Sequence, residues 1–145
     1  MKKTELFKNI YLKNVALLLT VIAFLLTACS QKMNFTASPV VPAAEGSVKL
    51  KKDKNDNYVI DVNIIRLAEP DRLQPPKETY VVWMRTKSNG TKNIGQLQSS
   101  SGLLSKTLKA SLNTVTPFEP ESFFITAEND GAAVYPGSEI VLETK

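Results

Sequence analysis

The chain has 145 residues, with one cysteine, no histidine and a formal net charge of +4. This length allows one domain of typical size. With this composition the chain cannot build zinc sites of the usual four-ligand kind, Ser–His or Cys–His catalysis, or an intrachain disulfide.

The positive charge is concentrated near the N-terminus. Lys2, Lys3, Lys8 and Lys13 are opposed there by Glu5 alone, so most of the net charge lies before residue 28. The remainder is close to neutral and does not attract phosphates by its net field. We therefore expect no nucleic-acid partner.

An apolar segment follows the lysines and has the form of a secretory signal peptide. It runs without a charge from Val15 to Ala28. As a helix it would span about 21 Å, less than the ~30 Å hydrocarbon core of a bilayer. An uncleaved transmembrane anchor is the alternative, and extending the apolar segment upstream would bury Lys13.

The residues Leu26-Thr27-Ala28-Cys29 resemble the lipobox of bacterial lipoprotein precursors. The resemblance implies cleavage between Ala28 and Cys29 and attachment of lipid to the Cys29 thiol, with palmitate among the acyl chains. Because each buried methylene contributes about 0.8 kcal/mol, several acyl chains would hold the protein on a membrane almost permanently. We expect an exported cell-envelope protein. Ser30 permits outer-membrane sorting in a Gram-negative cell, on the periplasmic face or the surface.

Residues 29–45 are predicted to form the lipidated cysteine and a flexible tether. The segment has two prolines, small residues and no period of apolar positions. Such a tether would lift the domain clear of the lipid headgroups. The alternative is that Phe35 or Val40-Val41 adds an edge strand.

From residue 46 to residue 145 the pattern is that of short strands separated by turn residues. Apolar and polar side chains alternate around Val48, Ile60, Leu112 and Phe123, and Tyr80–Met84 is apolar on both faces. Turns are predicted at 54–57, 89–90, 96–102 and 129–131. Residues 102–110 are the one segment that fits a short helix as well.

Six or seven such strands predict an all-β fold, an antiparallel β-sandwich of immunoglobulin-like type. The lysines at 49, 51, 52 and 54 are expected on the solvent-exposed face and in the turn of an edge hairpin. Lysine at an edge strand also deters aggregation. The domain organisation is then signal peptide 1–28, tether 29–45 and sandwich 46–145.

Two motifs in this domain resemble the C-terminal extracytoplasmic domain of anti-sigma-K factors. They are Thr79-Tyr80-Val81-Val82-Trp83-Met84 after a proline-bearing loop, and Phe124-x-Thr126-x-Glu128 followed by Pro136-Gly137. The likeness covers residues 48 to 143 and implies a sandwich with a sensory or regulatory role. Only fourteen residues precede the apolar segment, so we do not expect sigma-factor binding.

Few residues offer chemistry. Tyr80 and Trp83 would suit a stacking platform for a ligand, although a Trp in a strand that is apolar on both faces is more often core. The carboxylate pairs Glu119/Glu121 and Glu128/Asp130 lie in predicted turns, where acids are usually solvated. We expect neither an enzyme, nor a cofactor, nor a metal.

Two classes of function follow. The first is a non-catalytic interaction or regulatory module anchored to the envelope, with a protein partner there. The alternative is a lipoprotein that binds a glycan or small ligand through its aromatic residues, and exposure of Trp83 distinguishes the two.

Overall fold

Nine strands form two sheets in the computed structural model, which describes residues 13–15, 30–100, 108–137 and 139–145. The strands are β1 (Gln31–Asn34), β2 (Glu45–Lys52), β3 (Tyr58–Ile65), β4 (Thr79–Thr86), β5 (Thr91–Gln96), β6 (Gln98–Ser100), β7 (Lys109–Thr116), β8 (Pro120–Glu128) and β9 (Ile140–Glu143). A short 3-10 helix spans Pro70–Arg72.

The two sheets have the strand order of an immunoglobulin-like sandwich. One sheet is ordered β1-β2-β3-β7-β6 and the other β5-β4-β8-β9, and every pairing is antiparallel. The order β2-β3-β7-β6 reproduces the ABED sheet of that fold, and β4-β8-β9 reproduces its CFG sheet with β5 added. The predicted all-β sandwich is confirmed. The additional strands beyond the six or seven expected include the short β1 and β6.

The main core lies between the sheets and follows the predicted alternation. Ile60 and Val62 of β3 are fully buried, and Phe123 and Ile125 of β8 meet them from the opposite sheet. Inward positions in a strand recur every second residue, so the intervening side chains point away from this core. We call this the inner core.

The central strand β4 is buried on both faces, as its continuous apolar sequence predicts. Tyr80, Val82 and Met84 belong to the inner core, whereas Val81 and Trp83 pack on the other face of the same sheet. The four-stranded sheet therefore has apolar contacts on both sides.

The prediction of a flexible tether is wrong for most of its length. β1 pairs with β2 in register from Gln31↔Leu50 to Asn34↔Ser47. Phe35 then bridges to Thr144 of the other sheet. The alternative of an added edge strand is the better description, and the folded domain starts at Gln31 instead of residue 46.

The segment between β1 and β2 is also packed against the domain. The Ser38 hydroxyl accepts hydrogen bonds from the N–H groups of Val40 and Val41, and Val41 and Ala44 are buried. The sequence did not reveal that the folded domain starts at β1, because this strand is polar and is held by main-chain pairing. Met33 is the one residue of β1 that packs against the core.

Two further predictions change in detail. The region 96–102 was predicted as a turn, but Gln98–Ser100 pairs with β7 as strand β6. The alternative helix at 102–110 lies mostly outside the described residues, and its last two residues, Lys109 and Ala110, belong to β7.

The sandwich has two ends, which we name by the position of β1. The basal end is where β1 begins, and it contains the turns at 53–57, 87–90 and 117–119. The distal end contains the connections 35–44, 66–78 and 129–139. The lysines at 49, 51, 52 and 54 are exposed as predicted, although β1 and not β2 forms the sheet edge.

The predicted signal peptide, apart from Lys13–Val15, and the predicted lipidation residue Cys29 lie outside the described residues. Within the described ranges, none of the helices has the length and apolar character needed to cross a bilayer.

Candidate functional site

The predicted ligand platform of Tyr80 and Trp83 is not formed. The two residues are three apart in β4, so their side chains point to opposite faces of the sheet. Tyr80 is 5% exposed and Trp83 is 0% exposed. A stacking platform needs an exposed ring face, which neither residue has, and both are core residues instead.

Tyr80 lies at the distal edge of the inner core. Its hydroxyl donates a 2.9 Å hydrogen bond to the carbonyl oxygen of Ala68. Burial, with a smaller contribution from the negative charge of Glu69, raises the pKa of Tyr80 to about 12. The tyrosine is therefore a neutral structural donor at neutral pH.

A cavity of about 240 Å³ lies beside Tyr80. Leu67, Leu97, Leu108 and Glu69 are among the residues that line it. This volume is below the 300–1,000 Å³ that is usual for small-molecule sites. A bound ligand here would be small.

Trp83 is the centre of a second apolar cluster, the outer cluster, which consists of Val81, Trp83 and Phe124 with Ala133 and Ile140 packed against them. The rings of Trp83 and Phe124 are stacked, with centroids 6.2 Å apart. The Arg85 guanidinium lies 4.4 Å from the centre of the Phe124 ring and forms an ion pair with Glu143. The outer cluster is thus closed at one side by a charged pair.

A chain of hydrogen bonds runs along the distal side of the outer cluster. The Trp83 indole N–H donates to the Thr126 hydroxyl at 2.8 Å, and that hydroxyl donates to Glu128 Oε1. The same carboxylate oxygen accepts the Gly137 N–H at 3.0 Å. Glu128 is only 6% exposed, so its expected solvation at a hairpin tip is wrong.

Asn93 fixes the segment that covers the outer cluster. A bulge between Val82 and Trp83 shifts the register of β5, and Gly95 adopts a φ of 130° there. The Asn93 amide nitrogen donates to the carbonyl oxygens of Gly131 and Ala133, both at 2.9 Å. Its own oxygen accepts the Gly95 N–H. One side chain thus joins the bulge to the connection between β8 and β9.

The covering segment, residues 129–137, is named the distal loop. Its conformation is held by Asn93 and Glu128, yet Val134 and Tyr135 at its tip are 75% and 81% exposed. Aromatic side chains held in place on the surface are enriched in protein interfaces. The distal loop is the described segment with the two most exposed large apolar side chains.

Two acidic residues at the basal end, Glu119 and Asp53, have structural partners. Glu119 accepts a 2.7 Å hydrogen bond from Lys87, which raises the pKa of that lysine. Asp53 accepts the backbone N–H groups of Asn55 and Asn57, and the bond from Asn55 is the main reason that the pKa of Asp53 lies below its usual value. Across the described ranges, no group of three acidic, histidine or cysteine side chains is arranged to hold a metal.

Lysines gather at the basal end beside the start of β1. A cleft of about 450 Å³ there is lined by Gln31, Lys51, Lys52 and Lys87, together with Glu119 and Glu121. Gln31 is two residues from Cys29 in the sequence. The first described strand therefore starts, at the basal end, two residues of sequence after the residue predicted to carry lipid.

Sequence patterns alone identified Trp83 but missed its environment. Thr126 and Glu128 belong to the motif Phe124-x-Thr126-x-Glu128, but the motif does not show that they lie beside Trp83, and Asn93 has no motif that marks it. Their shared position on one sheet face becomes visible only once β4, β5 and β8 are paired. The odd spacing of Tyr80 and Trp83 within one strand does predict that their side chains point to opposite faces of the sheet.

Comparison with protein-family models, with curated proteins and with solved structures found no match to this chain.

Proposed function

We propose that the protein is a bacterial envelope lipoprotein, anchored by lipid on Cys29, whose β-sandwich is a non-catalytic interaction module. The observation that carries the proposal is the sequence Leu26-Thr27-Ala28-Cys29 at the end of a charge-free apolar segment. In a Gram-negative cell we place the protein at the outer membrane.

The start of the fold supports an anchor at this position. The first strand begins at Gln31, immediately beyond the proposed cleavage site. Removal of residues 1–28 would leave every described strand intact. Cys29 is the single cysteine of the chain, so lipid attachment competes with no disulfide.

The non-catalytic part of the proposal rests on the chemistry that the sandwich offers. The chain has no histidine. Glu128 is engaged with Thr126 and Gly137, and Glu119 with Lys87. Acids used in this way stabilise loops and are poorly placed for proton transfer to a substrate.

The distal loop is the proposed contact with an envelope protein. Its backbone is held by hydrogen bonds, so little conformational entropy is lost when Val134 and Tyr135 become buried. It also lies at the end of the sandwich opposite Gln31, so a partner could approach it without meeting a bilayer that holds the proposed anchor.

The resemblance to the anti-sigma-K C-terminal domain supports a sensory or regulatory version of this module. Its two motifs occupy the neighbouring strands β4 and β8, and Trp83 of the first bonds to Thr126 of the second. This hydrogen bond gives both motifs a structural role, because it joins the two strands that contain them. Sigma-factor binding is not part of the proposal.

The anchor is tested by labelling cells with a palmitate analogue and by measuring the mass of the mature protein. We expect label on the wild type, a mass that begins at an acylated Cys29, and loss of both in Cys29→Ser. A Cys29→Ser protein that is membrane-bound at mature size, or an unlabelled wild type, contradicts the anchor.

The partner is tested with a photo-crosslinking amino acid in place of Tyr135, with exposed Asn113 of β7 as the matched control position. We expect one discrete crosslinked protein from position 135, none from position 113, and loss of the product when Val134→Ser is added. Equal products at both positions contradict a contact at the distal loop.

Binding of a small ligand is the alternative function, and the cavity beside Tyr80 is the observation that favours it. Leu97→Trp would fill this cavity. If the alternative is right, a small apolar or glycan ligand will raise the melting temperature of the wild type and have no effect on that variant.

A further inference from the structure

If Cys29 carries lipid, the basal end must lie close to the membrane, because the chain between Cys29 and the first residue of β1 is very short. Gln31 is paired with Leu50, so β1 begins level with that residue of β2. Two residues of extended chain advance by at most about 7 Å. Whatever the conformation of residue 29, the folded domain cannot stand away from its anchor.

The hairpin between β2 and β3 reaches at least as far toward the lipid as the anchor does. Beyond Leu50, β2 continues through Lys51 and Lys52. These two residues advance by about 7 Å, which is the most that two residues of chain can place between Gln31 and residue 29. The turn at 53–57 then extends past that level, so it would touch the headgroups first.

Charge is distributed unequally between the two ends. Around the basal end, cations exceed acids by two, with Lys32, Lys49, Lys51, Lys52, Lys54, Lys87 and Lys92 opposed by Asp53, Asp56, Asp61, Glu119 and Glu121. Around the distal end, acids exceed cations by three, with Glu45, Glu69, Asp71, Glu78, Glu128, Asp130 and Glu139 opposed by Arg66, Arg72, Lys77 and Lys109. An anionic surface attracts the first end and repels the second.

The basal acids are largely engaged within the protein. Asp56 forms an ion pair with Lys52 at 3.7 Å, and Asp53 accepts hydrogen bonds from its own turn. Lys51 and Lys54 are exposed and form no ion pair with any described residue. These two lysines are free to meet phosphate groups.

We propose that the basal end, centred on the hairpin of residues 51–57, docks on the anionic phospholipid headgroups of the bilayer that carries the anchor. Docking holds the sandwich upright, with the distal loop pointing away from the membrane. This inference rests on the proposed anchor at Cys29.

The test measures the orientation of the acylated protein in vesicles. Because the Cys29 thiol would be blocked by lipid, Asn55→Cys and Ala132→Cys each provide one site for a fluorophore, at the basal end and in the distal loop. Vesicles of phosphatidylcholine with phosphatidylglycerol contain a lipid with a quencher on its headgroup. We expect strong quenching at position 55 and weak quenching at position 132.

Charge reversals then test the role of the lysines. An anionic surface contributes about a fivefold factor in association for each lysine near it. Lys51→Glu with Lys54→Glu should therefore lower the ratio of docked to undocked protein by about 25-fold or more. Arg72→Glu with Lys109→Glu makes the same change in net charge at exposed distal positions and should leave quenching at position 55 unchanged.

Added salt provides a measurement that needs no charge-reversed variant. Raising the ionic strength to about 1 M shortens the screening length to about 3 Å and should reduce quenching at position 55. Pure phosphatidylcholine vesicles should have the same effect.

The outcomes separate this inference from the anchor. A wild-type protein without acyl mass, or with a reactive thiol, overturns the anchor and with it the docking. An acylated protein that is quenched equally at positions 55 and 132 on anionic vesicles, or equally on both lipids, overturns the docking alone.

Discussion

Phe123 and Phe124 are neighbours in β8, but they lie in two different apolar environments. Phe123 is 0% exposed in the inner core, between two sheets whose backbones are fixed by strand pairing. Phe124 is 4% exposed in the outer cluster, where the distal loop and a charged pair replace the second sheet. Equal burial is achieved by different means.

The difference indicates which interactions stabilise each side. In the inner core, alternation of apolar residues is sufficient, because the opposite sheet supplies the cover. In the outer cluster, the cover is a loop, and its position depends on hydrogen bonds from Asn93 and Glu128. Substitution of these polar side chains should therefore destabilise the outer cluster. The inner core does not depend on such side chains.

The largest expected effect comes from truncating the two phenylalanines. Phe123→Ala should lower the free energy of unfolding by about 4 kcal/mol, because the two sheets cannot close the cavity. Phe124→Ala should lower it by about 3 kcal/mol, since the distal loop can settle into part of the space. Urea unfolding of both variants measures the difference, and equal losses would mean that the outer cluster is as rigid as the inner core.

Next in size is the loss of the Thr126 hydroxyl. Thr126→Val leaves the Trp83 indole N–H without an acceptor and removes the donor to Glu128, so we expect a loss of about 2 kcal/mol. Thr126→Ser retains the hydroxyl and serves as the control.

Trp83 is the single tryptophan of the chain. Its fluorescence should be blue and resistant to iodide in the wild type, and a red, easily quenched wild-type emission would contradict its burial.

Tyr80→Phe tests a polar group at the edge of the inner core. At neutral pH the variant should lose about 1 kcal/mol, because the Ala68 carbonyl loses its donor. The pKa of Tyr80 is about 12 in the folded protein against an ordinary value of 10.0. Between these values only the unfolded chain ionises this tyrosine, so its contribution is complete below pH 10 and is lost as the pH rises to 12.

The two Tyr80 proteins should therefore be compared across the same alkaline range. The wild type should lose more stability than Tyr80→Phe between pH 10 and pH 12. Effects of alkaline pH on the rest of the molecule are common to both proteins and cancel in the difference. Parallel pH profiles would show that the tyrosine is more accessible to solvent than its burial indicates.

The smallest effect on global stability is expected for Asn93→Ala. Its partners, the carbonyls of the distal loop, can turn to water, so the free energy of unfolding should fall by only about 0.5 kcal/mol. Local opening should rise instead, and limited proteolysis should cut the loop near Tyr135 faster than in the wild type. Unchanged cleavage would mean that the loop is held in place without Asn93.

The fold was largely predictable, and particular residues show why. Ile60 and Val62 alternate with polar neighbours, which predicts a half-buried strand, and the apolar stretch around Trp83 predicts a strand covered on both sides. Polar segments were the failures. β1 was predicted as a tether, because main-chain pairing along Gln31–Asn34 needs no apolar pattern.

The site was less predictable for a related reason. Glu128 follows a strand and precedes Asn129-Asp130-Gly131, a sequence typical of an exposed turn. Its burial depends on Gly137, nine residues later, folding back to donate a hydrogen bond. Contacts of this kind are set by the path of a loop, which local sequence does not encode.

The pairing of β1 with β2 also determines how the domain resists force. Tension on the chain ahead of Gln31, directed out of the basal end, acts along the axis of β1. Hydrogen bonds between antiparallel strands lie perpendicular to that axis, so such tension loads them together and does not open them one at a time. Beyond β1, the Thr36 N–H donates to the Glu143 carbonyl at 2.8 Å, which couples the load to the last strand. Tension applied ahead of Gln31 therefore meets a mechanically strong part of the sandwich.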